Sequence, residues 1–225
     1  QEPRFAASAV AVDEDGIVYA YSAAEGVVVR AEAATGRILD QDETPVAPVD
    51  AQVTAVAGRW VVYDRATGDV AVQDRDDVVP TTPATGAVLQ RAATEGADVV
   101  IADPTGVTRI PLESGGAERP LTADGLGTPA VPVATGGAVH AAWLSEGTGG
   151  GTLWTSARPD ERTTLDYAGA EIGDGIDPVF IGNGSRLALN DRGSGWVWNV
   201  PDGALIPSSQ QWRLEDTSES APDED

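Results

Sequence analysis

Residues 58–72 read GRWVVYDRATGDVAV, and this stretch decides the fold. Gly58 opens a short run of β-branched and aromatic residues, and a turn of the form Asp-x-x-Thr-Gly, from Asp64 to Gly68, closes it. A second run of the same kind begins at Val70. Runs of Val, Tyr and Trp that are bounded by Gly and Asp turns are typical of antiparallel strands joined by tight hairpins. The stretch therefore predicts two adjacent strands with a turn at each end.

The same pair of glycine turns recurs five times along the chain. A closing glycine follows each opening glycine by 10 to 14 positions, and the pair repeats roughly every forty residues. The opening glycines are Gly16, Gly58, Gly96, Gly137 and Gly184, and the closing glycines are Gly26, Gly68, Gly106, Gly151 and Gly195.

A strand-like run lies between the two glycines of every pair, and further short apolar runs flank it. A period near forty with several short strands per unit is typical of β-propeller blades, which bury both of their faces only when neighbouring blades stack on them. We predict an all-β fold, a β-propeller with about five four-stranded blades. The central runs are Ile17–Tyr21, Trp60–Tyr63, Val99–Ala102, Val139–Trp143 and Leu187–Leu189.

Two boundaries follow from composition. Residues 1–212 are predicted to form the propeller domain, within which residues 80–83 (Pro-Thr-Thr-Pro) are expected to be loop rather than strand. Residues 213–225 are rich in acidic residues, Ser and Pro, and we expect an acidic, flexible linker. The chain begins abruptly at Gln1 without Met or an apolar leader, so we expect it to be a piece of a longer protein.

Charge and composition exclude several classes of function. The chain holds 36 acidic residues against 14 basic ones, and its net charge of −22 repels phosphate backbones, so we expect no nucleic-acid partner. Cysteine is absent, which excludes thiol catalysis and thiolate metal sites. The apolar runs are the length of strands and too short to span a membrane.

The sequence assigns no catalytic, cofactor-binding or metal-binding residue, and no cofactor. His140 is the only histidine, and a packed strand side chain is its expected role. Carboxylates are abundant, but the sequence gives no way to choose a pair of them, and each is expected to be a solvated turn residue. Those considered for paired-acid chemistry are Asp13, Asp15, Asp74, Asp76, Asp77, Asp174 and Asp177.

Two turns and the tryptophans also suggest ligands. Residues 13–16 (Asp-Glu-Asp-Gly) and residues 191–195 (Asp-Arg-Gly-Ser-Gly) offer oxygen ligands of the kind that calcium prefers, although a plain β-turn explains both. Tryptophans could stack on a sugar or a peptide, but packing between blades is their expected role. They are Trp60, Trp143, Trp154, Trp196, Trp198 and Trp212.

Several segments resemble the propeller-like N-terminal region of very large actinobacterial surface proteins, which continue into tandem Ig-like, cadherin-like or fibronectin type III domains. The segments are residues 5–8, 54–58, 136–143 and 187–198, and the most specific one is Leu-Asn-Asp-x-x-Ser-Gly-x-x-Trp, ending at Trp198. The resemblance implies a secreted or membrane-anchored, non-catalytic parent protein. It also implies that further repeats precede Phe5, so that the five units belong to a larger, for example seven-bladed, ring.

These observations lead to three alternatives for function. The first is a non-catalytic interaction or scaffold module on the bacterial cell surface, with a protein or a cell-wall component as its partner. An upstream segment or a second chain would complete the propeller. The second is a five-bladed glycoside hydrolase with carboxylates in its tunnel. The third is a calcium-dependent adhesion module.

Overall fold

The computed structural model describes residues 5–169, 171–183, 186–200 and 202–206. Every regular element in these ranges is a β-strand, and the strands form five antiparallel sheets that follow one another along the chain. No helix able to cross a membrane occurs among them. The predicted all-β class is confirmed, whereas the opening glycine Gly184, Trp212 and the proposed linker 213–225 lie outside the described residues.

Each sheet is a meander in which consecutive strands pair, except that β13 and β14 of the fourth sheet both pair with β15. The strands are, for the first sheet, β1 (Ala9–Val12), β2 (Ile17–Ser22), β3 (Val27–Glu32) and β4 (Ile38–Glu43); for the second, β5 (Ala51–Val56), β6 (Arg59–Asp64), β7 (Asp69–Val72) and β8 (Val79–Pro80); for the third, β9 (Val88–Leu89), β10 (Asp98–Asp103), β11 (Gly106–Pro111) and β12 (Glu118–Thr122); for the fourth, β13 (Thr128–Pro129), β14 (Val133–Thr135), β15 (Ala138–Leu144), β16 (Gly151–Thr155) and β17 (Arg162–Leu165); and for the fifth, β18 (Pro178–Asn183), β19 (Arg186–Asp191) and β20 (Val197–Val200).

The fourth and fifth sheets depart from four plain strands for local reasons. In the fourth sheet, β13 and β14 both pair with β15, because the innermost strand is interrupted around Pro132, which has no N–H to donate. In the fifth sheet, Leu205 bridges Trp198, and the Asn199 N–H donates to the Ala204 carbonyl, which begins a fourth strand. The repeating unit is thus the four-stranded sheet predicted from the glycine spacing.

Two details of the sequence prediction were wrong. The loop expected from Pro80 begins one residue later, because Val79 and Pro80 pair with β7 as a short edge strand, where a proline is tolerated. The closing turn of the fourth unit uses Gly150, which has φ of 73°, and not Gly151, which already belongs to β16.

The core consists of four clusters, each between two consecutive sheets. The first cluster joins sheets one and two through Tyr19, Tyr21 and Trp60. Valine-rich strands join sheets two and three, Trp143 and Trp154 lie between sheets three and four, and Phe180 and Trp198 lie between sheets four and five. Sheets that are covered face to face in this order form a β-propeller.

The meander places the two kinds of turn at opposite ends of the propeller. Turns between the first and second strands of each sheet, such as residues 13–16 and 136–137, lie at what we call the first-turn end. Turns between the second and third strands, such as residues 65–68 and 192–195, lie at the second-turn end.

Candidate functional site

Three buried aspartates mark the second-turn end. Asp64, Asp103 and Asp191 each end the second strand of their sheet, and all three are almost fully buried. Each carboxylate accepts hydrogen bonds from the turn that follows it. In the Asp191 turn the donors are the Ser194 hydroxyl and the backbone N–H groups of Gly193 and Ser194.

The hydrogen bonds set the protonation state of these aspartates. Burial alone would raise the pKa of Asp103, but the hydrogen bonds from Arg119 and Thr105 outweigh burial and hold its pKa below the ordinary value. The Arg119 guanidinium contacts both carboxylate oxygens of Asp103, at 2.8 and 2.9 Å. The pKa values of Asp64 and Asp191 are also lowered, against the effect of burial, by donors of their own turns and by backbone N–H groups of the segment before the first strand, at Val49 and Asp50 for Asp64 and at Asp177 for Asp191. A carboxylate held ionised in this manner suits a structural role and not that of a general acid.

The sequence analysis used these turns only to mark the ends of strands, and it did not predict that their aspartates are buried. A usable signal was present, because all three precede x-x-(Ser/Thr)-Gly, or a variant of it, at the end of a strand. Two of the aspartates considered for paired-acid chemistry form ion pairs with arginine: Asp77 pairs with Arg75 at 2.6 Å, and Asp177, whose backbone N–H donates to Asp191, pairs with Arg192 at 2.6 Å.

The suggested calcium turns are closed by their own hydrogen bonds. Asp13 accepts from the backbone N–H groups of Asp15 and Ile17 and from the Tyr19 hydroxyl. Burial and the Asp13 charge raise the pKa of Tyr19 to about 12. In the second turn, the Asp191 carboxylate is engaged by the turn donors described above. Within the described part of the chain no group of three or more His, Asp or Glu side chains is placed to hold a metal ion.

His140 and four of the tryptophans lie in the core. His140 is buried on β15, and burial lowers its pKa despite a hydrogen bond with the Thr135 backbone. Each of the four buried indoles donates its N–H, as Trp143 does to the Asp103 carbonyl at 2.7 Å. This bond crosses from the fourth sheet to the third, and all four rings lie in core clusters between consecutive sheets, so these tryptophans join blades, as predicted. Among the other three indoles, Trp60 donates to the Asp42 carboxylate, Trp154 to the Pro159 carbonyl and Trp198 to the Asp166 carbonyl.

The first-turn end carries a cavity, which we call the first-turn cavity. Its volume is about 560 Å³, within the range of ordinary ligand sites. The first sheet contributes Glu14 to its wall, and the third sheet contributes Glu95 from a turn and Asp98 and Arg109 from strands β10 and β11. Glycines and alanines of the turns at residues 93–97 and 134–138 form much of the remaining wall. Sequence reasoning did not single out Glu95, Asp98 or Arg109, because only the ring brings these turns together.

The two outermost sheets each have one face that no described sheet covers, and on the first sheet the exposure lies at β1 and β4, since Val27 and Val29 of the same face are buried. Val10 and Val12 of β1 point away from the second sheet and are 56% and 53% exposed, whereas Val53, on the corresponding face of β5, is 9% exposed. Ile38, in the same row of the first sheet, is 65% exposed, and Ile181 of β18 is 55% exposed. We call these surfaces the terminal faces. No core cluster joins the fifth sheet to the first within the described residues.

Comparison with known proteins supports the fold. No family model and no curated protein matches the chain. Among solved structures, virginiamycin B lyase from Staphylococcus aureus is similar, with a TM-score of 0.62 and 12% identity over 91% of this chain and 70% of that one. The Cps50 (Swd1) β-propeller domain from Myceliophteria thermophila has a TM-score of 0.56 and 13% identity, over 93% of this chain and 68% of that one. A chain of a nidogen/laminin complex has a TM-score of 0.52 and 15% identity, over 88% of this chain and 78% of that one.

At these identities the similarity shows the fold alone. The chain has a β-propeller fold that is similar both to an enzyme, the lyase, and to a propeller found in a protein complex. The choice between catalysis and binding therefore depends on the residues of this chain.

Proposed function

We propose that this chain is a non-catalytic binding module whose partner is a protein, and that it works outside the cell as part of a bacterial surface protein. The observation that carries the proposal is the pair of terminal faces. Exposed apolar patches of this kind are typical of surfaces that another protein covers. The extracellular location and the larger surface protein are supported by the sequence resemblance described above.

The terminal face of the first sheet has the composition of the blade interfaces that are already formed. Val10, Val12 and Val18 form an apolar row like that of Val53 and Val62, which are covered by the first sheet. The terminal face of the fifth sheet is mixed, because Val179, Ile181 and Val197 share it with Asn190 and Asn199. The partner at these faces is therefore a further β-sheet structure that completes the propeller, supplied by an upstream segment or a second chain.

The size of similar propellers indicates how much is to be added. Five sheets of this chain correspond to about 70% of the lyase and 68% of the Swd1 propeller domain. By proportion, such a ring holds about seven sheets. A second copy of this chain would bring five sheets to a gap of about two, so a different segment fits better.

A distance measurement tests the open seam. The chain contains no cysteine, so spin labels can be placed at Val12→Cys and Ile181→Cys alone. Because stacked sheets lie about 10 Å apart, a seam with room for two sheets places the labels about 20–30 Å apart, whereas a closed five-bladed ring places them near 10 Å. A short distance in the monomer would contradict the proposal.

Thiol reactivity tests whether a protein covers the faces. In the protein as the cell makes it, we expect maleimide to modify Val12→Cys and Ile181→Cys much more slowly than in residues 1–225. The control Glu25→Cys, in an exposed turn, should react equally in both. Equal reactivity at all three positions would count against a protein partner at these faces.

A glycoside hydrolase is the competing function, favoured by the convergence of Glu14, Glu95 and Asp98 on one cavity. A panel of chromogenic glycosides separates the two functions. Turnover by the chain that is lost in Glu14→Gln and Glu95→Gln would establish the enzyme, and the binding module predicts no turnover.

A further inference from the structure

The first-turn cavity carries negative charge that its own wall does not neutralise. Arg109 is held by Asp98 at 3.8 Å and by Glu118, so two carboxylates already balance this guanidinium. Glu14 and Glu95 form no ion pair within the ranges that the structure describes. They lie in a chain of net charge −22, whose field attracts cations into such a concavity.

The residues that line the cavity indicate which class of cation it would bind. In the part of the chain that the structure describes, no three carboxylates are placed to hold a metal ion, so the cavity is not assigned to a metal. No aromatic ring lines the cavity, so it is not a cage for a quaternary ammonium group. Carboxylates without aromatic rings suit a cation that donates hydrogen bonds, which is an ammonium or a guanidinium group.

The shape of the wall indicates what carries this group. A volume of about 560 Å³ exceeds what one side chain fills. Ala93, Ala97, Gly136 and Gly137 project little or nothing into it, and a Cβ placed on either of the two glycines would meet no atom within 4 Å. An extended main chain can approach such a wall closely.

We propose that the first-turn cavity binds an extended segment of another protein that carries arginine or lysine, with the cationic group against Glu14 and Glu95. This site is separate from the terminal faces, so it goes beyond the function proposed above. A binding module would then hold its ring together at one surface and recognise a basic segment at another.

Calorimetric titration with a defined peptide tests the site. The probe is acetyl-Ala-Arg-Ala-Arg-Ala-amide, and its neutral counterpart carries citrulline in place of arginine. We expect the arginine peptide to bind at low ionic strength and the citrulline peptide to bind about tenfold more weakly, because charge-assisted hydrogen bonds are lost. The double variant Glu14→Gln with Glu95→Gln should lose affinity by a similar factor.

A matched control separates a site from general attraction to an acidic protein. The double variant Glu25→Gln with Glu146→Gln removes the same charge from exposed turns at the second-turn end, and it should bind the peptide within about twofold of the parent chain. Ala97→Trp fills the cavity without changing charge and should weaken binding, while Ala24→Trp at the second-turn end should not. Equal losses in the two Gln pairs, full affinity in Ala97→Trp, or no binding of the arginine peptide would overturn the proposal. None of these results depends on whether the terminal faces are covered.

Discussion

At the scale of the residue, the buried aspartates show how one side chain can secure a turn. Asp103 accepts two hydrogen bonds from Thr105 and a bidentate pair from Arg119, while its own backbone carbonyl receives the Trp143 indole. A buried carboxylate is stable only with this degree of hydrogen bonding. The same residue thus links its own turn, strand β12 and the next blade.

We predict that Asp103→Asn lowers the free energy of unfolding by about 1–3 kcal/mol at neutral pH, because Arg119 and Thr105 lose an ionised acceptor. The folded-state pKa is depressed, so this contribution is present above the ordinary aspartate pKa of about 4 and is lost as the pH falls through the folded-state value. Urea unfolding of both proteins across pH measures the difference. Exposed Asp124→Asn is the control, and equal effects of the two substitutions would contradict the role assigned to Asp103.

At the scale of the element, the glycines decide where strands can meet. Gly106 begins β11 with φ of 153°, and a Cβ on it would lie 2.0 Å from the Leu121 carbonyl oxygen of β12. The approach of these two strands therefore requires glycine at this position. Gly116, in the connection between the same strands, has open space around it.

Gly106→Ala should destabilise the chain by about 2 kcal/mol or more, because the new methyl group must displace backbone that is paired in the sheet. Gly116→Ala should change stability by no more than about 0.5 kcal/mol. Thermal unfolding followed by circular dichroism compares them. Equal midpoints of thermal unfolding for Gly106→Ala, Gly116→Ala and the parent chain would contradict the close approach of β11 and β12.

At the scale of the whole molecule, the propeller combines strong local order with an unbalanced charge and two uncovered faces. Stability comes from four core clusters between consecutive sheets, each of which needs both of its sheets. The first and fifth sheets therefore take part in one core cluster each, whereas each of the inner three sheets takes part in two. The net charge of −22 opposes compaction but keeps molecules apart, which protects the terminal faces from self-association.

We expect sodium chloride to raise the midpoint of thermal unfolding of residues 1–225, because screening weakens the repulsion among 36 acidic residues. The ten ion pairs found among the described residues oppose this trend, but most are solvent-exposed and contribute little each. Calorimetry over a range of salt concentrations, with sucrose as an uncharged control, measures the effect. A midpoint that falls with salt would show that ion pairs outweigh repulsion.

The sequence by itself determined the repeating element. Opening and closing glycines at a steady interval, with Val, Tyr and Trp between them, can form only short hairpin-linked strands, since turn chemistry and strand propensity are local properties. Residues 58–72 accordingly appear as β6 and β7, the two adjacent strands that were predicted. Local rules also explain the two errors, because a proline can end an edge strand and two adjacent glycines can each supply the turn.

Only the tertiary structure decided which residues meet. Glu14 and Glu95 are 81 positions apart and belong to different sheets, and the curvature of the ring alone brings them to one cavity. The burial of Asp103 depends on Arg119 and Trp143 from other strands, and the exposure of Val12 depends on the absence of a described sheet beside it. Burial, charge balance and cavities are properties of packed surfaces, and a one-dimensional pattern does not contain them.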